Sequence, residues 1–205
     1  MSVVLPAGDE RGVATAVDAL RRGDAVVLPT DTVYGVAVAM SVPGATKQLF
    51  ALKDRPDRVP VAVLVGSLAQ ALELVEPPSP AVMRVLKALW PGPLTVVLRR
   101  RSEVVAELGG DGVTVGVRWP DHALIAALAS QVGPLATTSA NRHGSPTPTT
   151  AAGAAAALAA DVALVLDGGP CDGLASTVVD GTDPALPVLR TGPISPDQVL
   201  AAALP

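Results

Sequence analysis

Five consecutive apolar residues, Val61-Ala62-Val63-Leu64-Val65, constrain the fold of this chain more than any other stretch. A strand that is wet on one face alternates apolar and polar side chains; this one does not, so both faces must be buried. A sheet with such a strand needs a layer on each side. Further short apolar runs at 25–28, 33–40, 94–98, 113–117, 135–138, 163–166, 176–179 and 188–190 read as strands. Between them lie helical patterns at 9–22, 44–52, 67–74, 79–89, 122–131 and 151–160. The first has Asp9 and Glu10 at its start, Arg21 and Arg22 at its end, and Gly23 to stop it. Ser79-Pro80 opens one helix and Ser195-Pro196 a last short one, each pairing an N-cap hydroxyl with a favoured N1 proline. Strands alternating with helices indicate an α/β protein. No repeat or composition break divides the chain, so residues 1–205 are expected to form one domain.

Composition narrows the function. The chain is 49% hydrophobic, 17% charged and only 2% aromatic, with a net charge of −4. An aliphatic core follows, and few rings remain on which to stack nucleic-acid bases. The acidic balance argues against a broadly basic nucleic-acid surface, although a local basic site is compatible with it. One cysteine, Cys171, excludes an internal disulfide or a thiolate metal site made by this chain alone. The N-terminus lacks the basic and long apolar regions of a signal peptide, and no apolar run reaches the roughly 18 residues of a membrane span. A cytoplasmic protein without a membrane partner is expected.

The chemistry-bearing residues are dispersed. No P-loop, dinucleotide fingerprint, zinc-protease motif or nucleophile elbow occurs. The two histidines, His122 and His143, read as surface or loop residues. Lys53-Asp54-Arg55-Pro56-Asp57-Arg58 is a knot of charge between apolar segments. It reads equally as a solvated loop or as a turn presenting cations to phosphates. Other polar groups fall where strands end or break: Thr30-Asp31-Thr32, Arg118, Thr137-Thr138-Ser139-Ala140-Asn141, Ser176-Thr177 and Arg190. A cation ending an apolar strand must reach solvent, an acid or a ligand. The long polar segment 137–150 adds hydroxyls, each able to donate to phosphate or carboxylate. In open α/β sheets ligands bind outside strand ends, so this set points to a concave site for a phosphate-bearing small molecule.

Six segments in order, Pro29-Thr30-Asp31-Thr32-Val33-Tyr34-Gly35, Lys53-Asp54-Arg55-Pro56, Gly116-Val117-Arg118-Trp119-Pro120, Thr138-Ser139-Ala140-Asn141, Ser176-Thr177-Val178-Val179-Asp180 and Leu189-Arg190-Thr191-Gly192, closely resemble the YrdC/TsaC family of threonylcarbamoyl-AMP synthases. The resemblance implies a YrdC-like twisted mixed sheet with flanking helices around a large, positively lined cavity. It implies conversion of L-threonine, bicarbonate and ATP to threonylcarbamoyl-AMP and pyrophosphate, feeding threonylcarbamoyladenosine formation next to the tRNA anticodon. A downstream tRNA threonylcarbamoyl transferase would take the product, and contact with tRNA itself is compatible with that role. The resemblance is to the short, single-domain form of the family, so an extra C-terminal domain is not expected.

By matching position, the resemblance assigns ATP to Lys53, Arg55, Val59, Thr114, Ser139, Asn141, Thr147 and Arg190. Lys53 and Arg55 would stabilise charge at the phosphates, with Mg²⁺ on those phosphates rather than in a protein cage. Thr32, Arg118, Thr137 and Ser176 would hold threonine. Leu64 stands where many members carry histidine and can offer threonine only an apolar wall or its backbone. Two rival readings accompany this one: a YrdC-like module that binds RNA without catalysis, and a carbamoyltransferase with another acceptor.

Overall fold

The computed structural model describes residues 3–53, 59–142, 144–158, 162–171 and 173–205. In chain order its elements are β1 (Val3–Pro6), α1 (Glu10–Arg21), β2 (Val26–Leu28), β3 (Gly35–Ala39), α2 (Ala45–Leu52), β4 (Ala62–Leu64), α3 (Leu68–Leu74), α4 (Pro80–Leu89), β5 (Leu94–Arg99), β6 (Thr114–Arg118), α5 (Ala123–Val132), β7 (Leu135–Ser139), α6 (Ala151–Leu158), β8 (Leu164–Asp167), β9 (Thr177–Asp180), β10 (Val188–Arg190) and α7 (Pro196–Ala203). The ten strands form one sheet in the order β1-β8-β2-β3-β7-β4-β6-β5-β9-β10. Pairing is mixed: β4 runs parallel to β6 and antiparallel to β7. The expected α/β class, with a mixed sheet flanked by helices, is the observed one.

Alternation along each strand sorts the side chains into two layers. One face carries Val27, Val36, Val38, Val63, Val96, Val115, Val117, Ala136, Val165 and Val179, buried beneath α2, α3, α4, α6 and α7. The opposite face carries Val26, Leu28, Ala37, Ala39, Leu64, Leu135, Leu164 and Leu166, covered by Val17 and Leu20 of α1 and by Leu124, Ile125 and Leu128 of α5. The first core runs the breadth of the sheet. The second stops at β4 and β7, so α1 and α5 leave the β6-β5-β9 side of their face uncovered.

Helix ends follow the sequence signals. Ser79 accepts from the Val82 amide before the N1 proline of α4. Ser195 and Gln198 form a reciprocal capping box at α7. Strand β1 was not expected. It is short and largely exposed, and it is defined by parallel pairing with β8, about 160 residues later, from Val3↔Leu164 to Pro6↔Asp167. Such an edge strand has no local amphipathic pattern to announce it.

Tyr34 ties the turn before β3 to the end of β8. Its ring is fully buried. The hydroxyl donates to Gly169 O at 2.7 Å and accepts from Gly168 N at 3.1 Å. Burial pushes the phenol above its ordinary pKa, so it remains a donor. Tyr34→Phe keeps the ring and removes the tie. It is expected to cost about 1 kcal/mol, or roughly 2–4 °C in a thermal melt.

Candidate active site

A cleft of about 450 Å³ occupies the part of the sheet that α1 and α5 leave bare. Its floor is a single strand parity: Gly35, Ala62, Leu64, Thr95, Val97, Thr114, Gly116, Arg118, Thr137, Ser139 and Val178. Register confirms the shared face, because Ala62 lies between Gly116 and Thr137, and Thr114 and Gly116 oppose Arg99 and Val97. Small residues at its centre make the room. A methyl at Gly116 would sit 3.3 Å from Thr95 Cγ2, and one at Gly35 3.0 Å from Thr137 Oγ1. Polar residues thus lie along the sheet face as well as at strand ends, which differs from the placement read from the sequence. The wide mixed sheet and its small floor residues account for this.

Arg118 ends β6 inside this cleft and is almost wholly buried. Its Nη2 donates to Asp31 Oδ1 at 2.5 Å, its Nη1 to Thr32 Oγ1 at 2.7 Å and its Nε to Gly92 O at 3.1 Å. Thr30 anchors the far side of this chain of contacts. Its hydroxyl accepts from the amides of Thr32 and Val33 and donates to Val33 O. Burial pulls the guanidinium below its ordinary pKa, Asp31 opposes that, and the Arg190 charge adds to the fall. An arginine remains charged under all of these influences.

Arg190, at the end of β10, approaches the cleft from the other side. It grips Ser176 through Nε and Nη2 on the carbonyl and Nη2 on the hydroxyl, at 2.8–3.0 Å. Ser176 Oγ lies 2.9 Å from Thr95 Oγ1. Two cations and a row of hydroxyls therefore face one concavity, an arrangement suited to an anionic, hydroxylated ligand.

Lys53 closes α2 and is only 4% exposed. Its ammonium donates to Ser139 O at 2.5 Å and Asn141 Oδ1 at 3.2 Å. Asn141 Oδ1 also accepts from the Ser139 hydroxyl, while its amide donates to Arg142 O and Ser145 O. Three residues expected at one nucleotide site thus form one corner at the end of β7. Of this corner Ser139 lines the cleft; Lys53 and Asn141 stand behind it.

Val59, Leu64, Thr114, Thr137 and Thr147 also line the cleft. The Thr114 hydroxyl is engaged by Asp111, whose carboxyl is held below its usual range by the Thr114 and Val113 amides. Leu64 packs into the core under α5 and walls the cleft end. The Thr137 hydroxyl donates to Val36 O. Arg55 and His143 lie outside the described residues, as does most of the charge knot around Lys53. The sequence reading passed over Thr95 and the pairing role of Asp31. Thr95 had a signal, being the hydroxyl in the otherwise apolar strand 94–98. Among the described residues no group of three His, Cys, Asp or Glu side chains could hold a metal ion.

The Sua5_yciO_yrdC family model, described as "Telomere recombination", matches residues 18–192. A Mycobacterium tuberculosis relative is 38% identical over 95% of this chain and 90% of its own length. The threonylcarbamoyl-AMP synthase of Bacillus subtilis is 35% identical over 94% of this chain, which spans 57% of that longer protein. Among solved structures, P. abyssi Sua5 complexed with L-threonine superposes with a TM-score of 0.90 at 31% identity, covering 98% of this chain and 60% of its own. E. coli YciO does so with a TM-score of 0.87 at 25% identity, covering 98% of this chain and all of the other. A match to the family model across 18–192, beside relatives of this identity and coverage, settles the affiliation: the chain belongs to the Sua5/YciO/YrdC family.

Proposed function

We propose that this protein is an L-threonylcarbamoyladenylate synthase, joining L-threonine, bicarbonate and ATP into threonylcarbamoyl-AMP with release of pyrophosphate. The observation that carries the reading is Arg118, buried on the cleft floor and flanked by the Thr32 hydroxyl. It supplies a fixed guanidinium for an amino-acid carboxylate. Relatives named threonylcarbamoyl-AMP synthase, from Bacillus subtilis and Homo sapiens, support it, as does a related Sua5 crystallised with L-threonine.

In this reading Arg118, Thr32, Thr137 and Ser176 hold threonine, with Leu64 as an apolar wall. Arg190, Ser139 and Thr147, with Lys53 and Asn141 behind Ser139 and Arg55 from the charge knot, bind the ATP phosphates. Val59 and Thr114 contact ATP through their backbones. The threonine amine attacks the bicarbonate carbon, and loss of water leaves a carbamate. A carbamate oxygen then attacks the α-phosphorus, the bond from that phosphorus to the oxygen bridging it to the β-phosphate breaks, and pyrophosphate leaves with that oxygen and the electron pair. Lys53, Arg55 and Arg190 offset the charge that develops on the phosphates, and the shared cleft supplies proximity. Without a carboxylate cage among the described residues, Mg²⁺ enters this proposal only as a companion of the ATP phosphates. Residues 1–205 act as one domain, a reading supported by the single sheet joining β1 to β10. The product passes to a tRNA threonylcarbamoyl transferase in the cytoplasm; among the described residues no helix is long and apolar enough to cross a membrane.

The test is pyrophosphate release with labelled bicarbonate. Release should require threonine, bicarbonate and ATP together; release without threonine would sink the assignment. Lys53→Met sharpens it. The ammonium joins Ser139 O and Asn141 Oδ1, so the variant should lose at least 100-fold in turnover and also about 1–3 kcal/mol of stability. Loss of turnover with an unchanged denaturant midpoint would show that the corner does not depend on Lys53.

A further inference from the structure

The turn at Pro29-Thr30-Asp31-Thr32-Val33 does not use its aspartate in the ordinary way. An Asp at such a place commonly accepts from the amides just after it. Here the Thr30 hydroxyl takes both, from Thr32 N at 3.1 Å and Val33 N at 3.2 Å. Asp31 is thereby released from the turn. One carboxylate oxygen, Oδ1, meets Arg118 Nη2; the other, Oδ2, is buried and has no hydrogen-bond partner among the described residues. The ion pair is nearly closed to solvent, with side chains 6% and 14% exposed. Asp31 does not itself line the cleft.

A largely buried carboxylate with one oxygen unpartnered among the described residues is costly, and a local turn role does not explain it. Its neighbourhood is polar but offers little relief. His122, at the start of α5, is pushed down by burial and feels the Asp31 charge, yet its Nδ1 is also buried without a partner. The Asp31 charge reaches His122 only through space, while its direct hydrogen bond and ion pair go to the guanidinium at the cleft floor. An arginine side chain has many rotamers, and only a fixed one presents its remaining N–H groups to a carboxylate as a fork. Three points fix it here: Gly92 O on Nε, Thr32 on Nη1 and Asp31 on Nη2. Asp31 is the charged one.

We propose that Asp31 is a positioning residue for amino-acid binding: from outside the cleft it holds the Arg118 guanidinium in the orientation that receives the substrate carboxylate. This rests on the reading of the cleft as a threonine site. It predicts a selective defect, confined to the amino-acid substrate, because among the described residues Asp31 is paired with Arg118 and makes no hydrogen bond or ion pair with Ser139, Asn141 or Arg190.

The experiment compares wild type, Asp31→Asn and Asp31→Glu by pyrophosphate release and by calorimetric titration of L-threonine, with folding checked by circular dichroism. Asn preserves shape and removes the charge. The KM for threonine should rise about tenfold or more in Asp31→Asn while the KM for ATP stays within about twofold. Asp31→Glu, which keeps the charge on a longer arm, should recover part of the loss. An unchanged or tightened threonine affinity in folded Asp31→Asn would overturn the proposal, as would equal rises in both KM values. Should Asp31→Asn fail to fold, Asp31→Glu carries the test by the same split. A wild-type protein that neither binds threonine nor releases pyrophosphate would instead overturn the functional reading itself, which keeps the two failures distinct.

Discussion

Arg118→Ala is expected to abolish threonine-dependent pyrophosphate release and to destabilise the protein by roughly 3–5 kcal/mol. Two separate losses produce this. Catalytically, the cleft floor loses its fixed carboxylate partner, while Arg190 is occupied with Ser176 on the far side. Structurally, Asp31 is left as a largely buried carboxylate whose Oδ2 already lacks a donor among the described residues. Removing one member of a buried pair is worse than removing both, because the survivor keeps its desolvation cost without its partner. The double variant Arg118→Ala with Asp31→Ala should therefore regain much of the stability but none of the turnover. Denaturant midpoints of wild type and the two variants measure the first statement, and pyrophosphate release the second. A single variant as stable as wild type would mean that Asp31 finds solvent or another donor, contrary to its burial. Arg118→Lys is a useful third point. It restores charge without the planar fork, so stability should return further than threonine affinity.

The contact that matters most here could be stated from the sequence only as a menu. A cation closing an apolar strand had to find solvent, an acid or a ligand, and Arg118 found Asp31, 87 residues away. Which of the three it chose depends on β6 reaching past β4 and β7 to the turn before β3, and that order is set by long-range pairing. Local patterns were far more readable. The unalternating run around Val63 is a central strand, buried on both faces except at Ala62, which lies on the cleft floor. The Ser-Pro pairs are helix starts, and the order of the six segments identified the family. Strand β1 escaped because its exposed valines carry no periodic signal and its partner lies at the opposite end of the sequence. The cleft escaped for a related reason. Gly35, Ala62 and Gly116 are unremarkable singly, and only the strand register puts them side by side as the floor of one concavity.

Gly192→Ala is expected to be strongly damaging, because its added methyl meets the closest backbone contacts found at any of the glycines compared. The loop after β10 lies flat on the segment 175–177, where Thr177 Oγ1 donates to Ile194 O and accepts from Ile194 N. A Cβ on Gly192 would collide with Thr177 N and Ala175 O and stand 2.6 Å from Ser176 C. All three are backbone atoms, so no rotamer change relieves the clash, and the two segments must part. Overpacking of this kind typically costs about 1–3 kcal/mol, and an entirely backbone contact belongs at or above the upper end. That corresponds to a melting temperature lower by roughly 6–12 °C in a chain of this size. The site should suffer more than the fold. Ser176 is the residue Arg190 grips and the one whose hydroxyl meets Thr95, so displacing it unseats one cation and two hydroxyls of the cleft together. Turnover should therefore fall at temperatures well below the new midpoint. Gly8→Ala is the control: a methyl there meets nothing within 4 Å, and both stability and turnover should remain at wild-type values. If Gly192→Ala melts and turns over like that control, the close approach of the two segments is not a constraint on the working protein, and Arg190 cannot owe its place in the cleft to it.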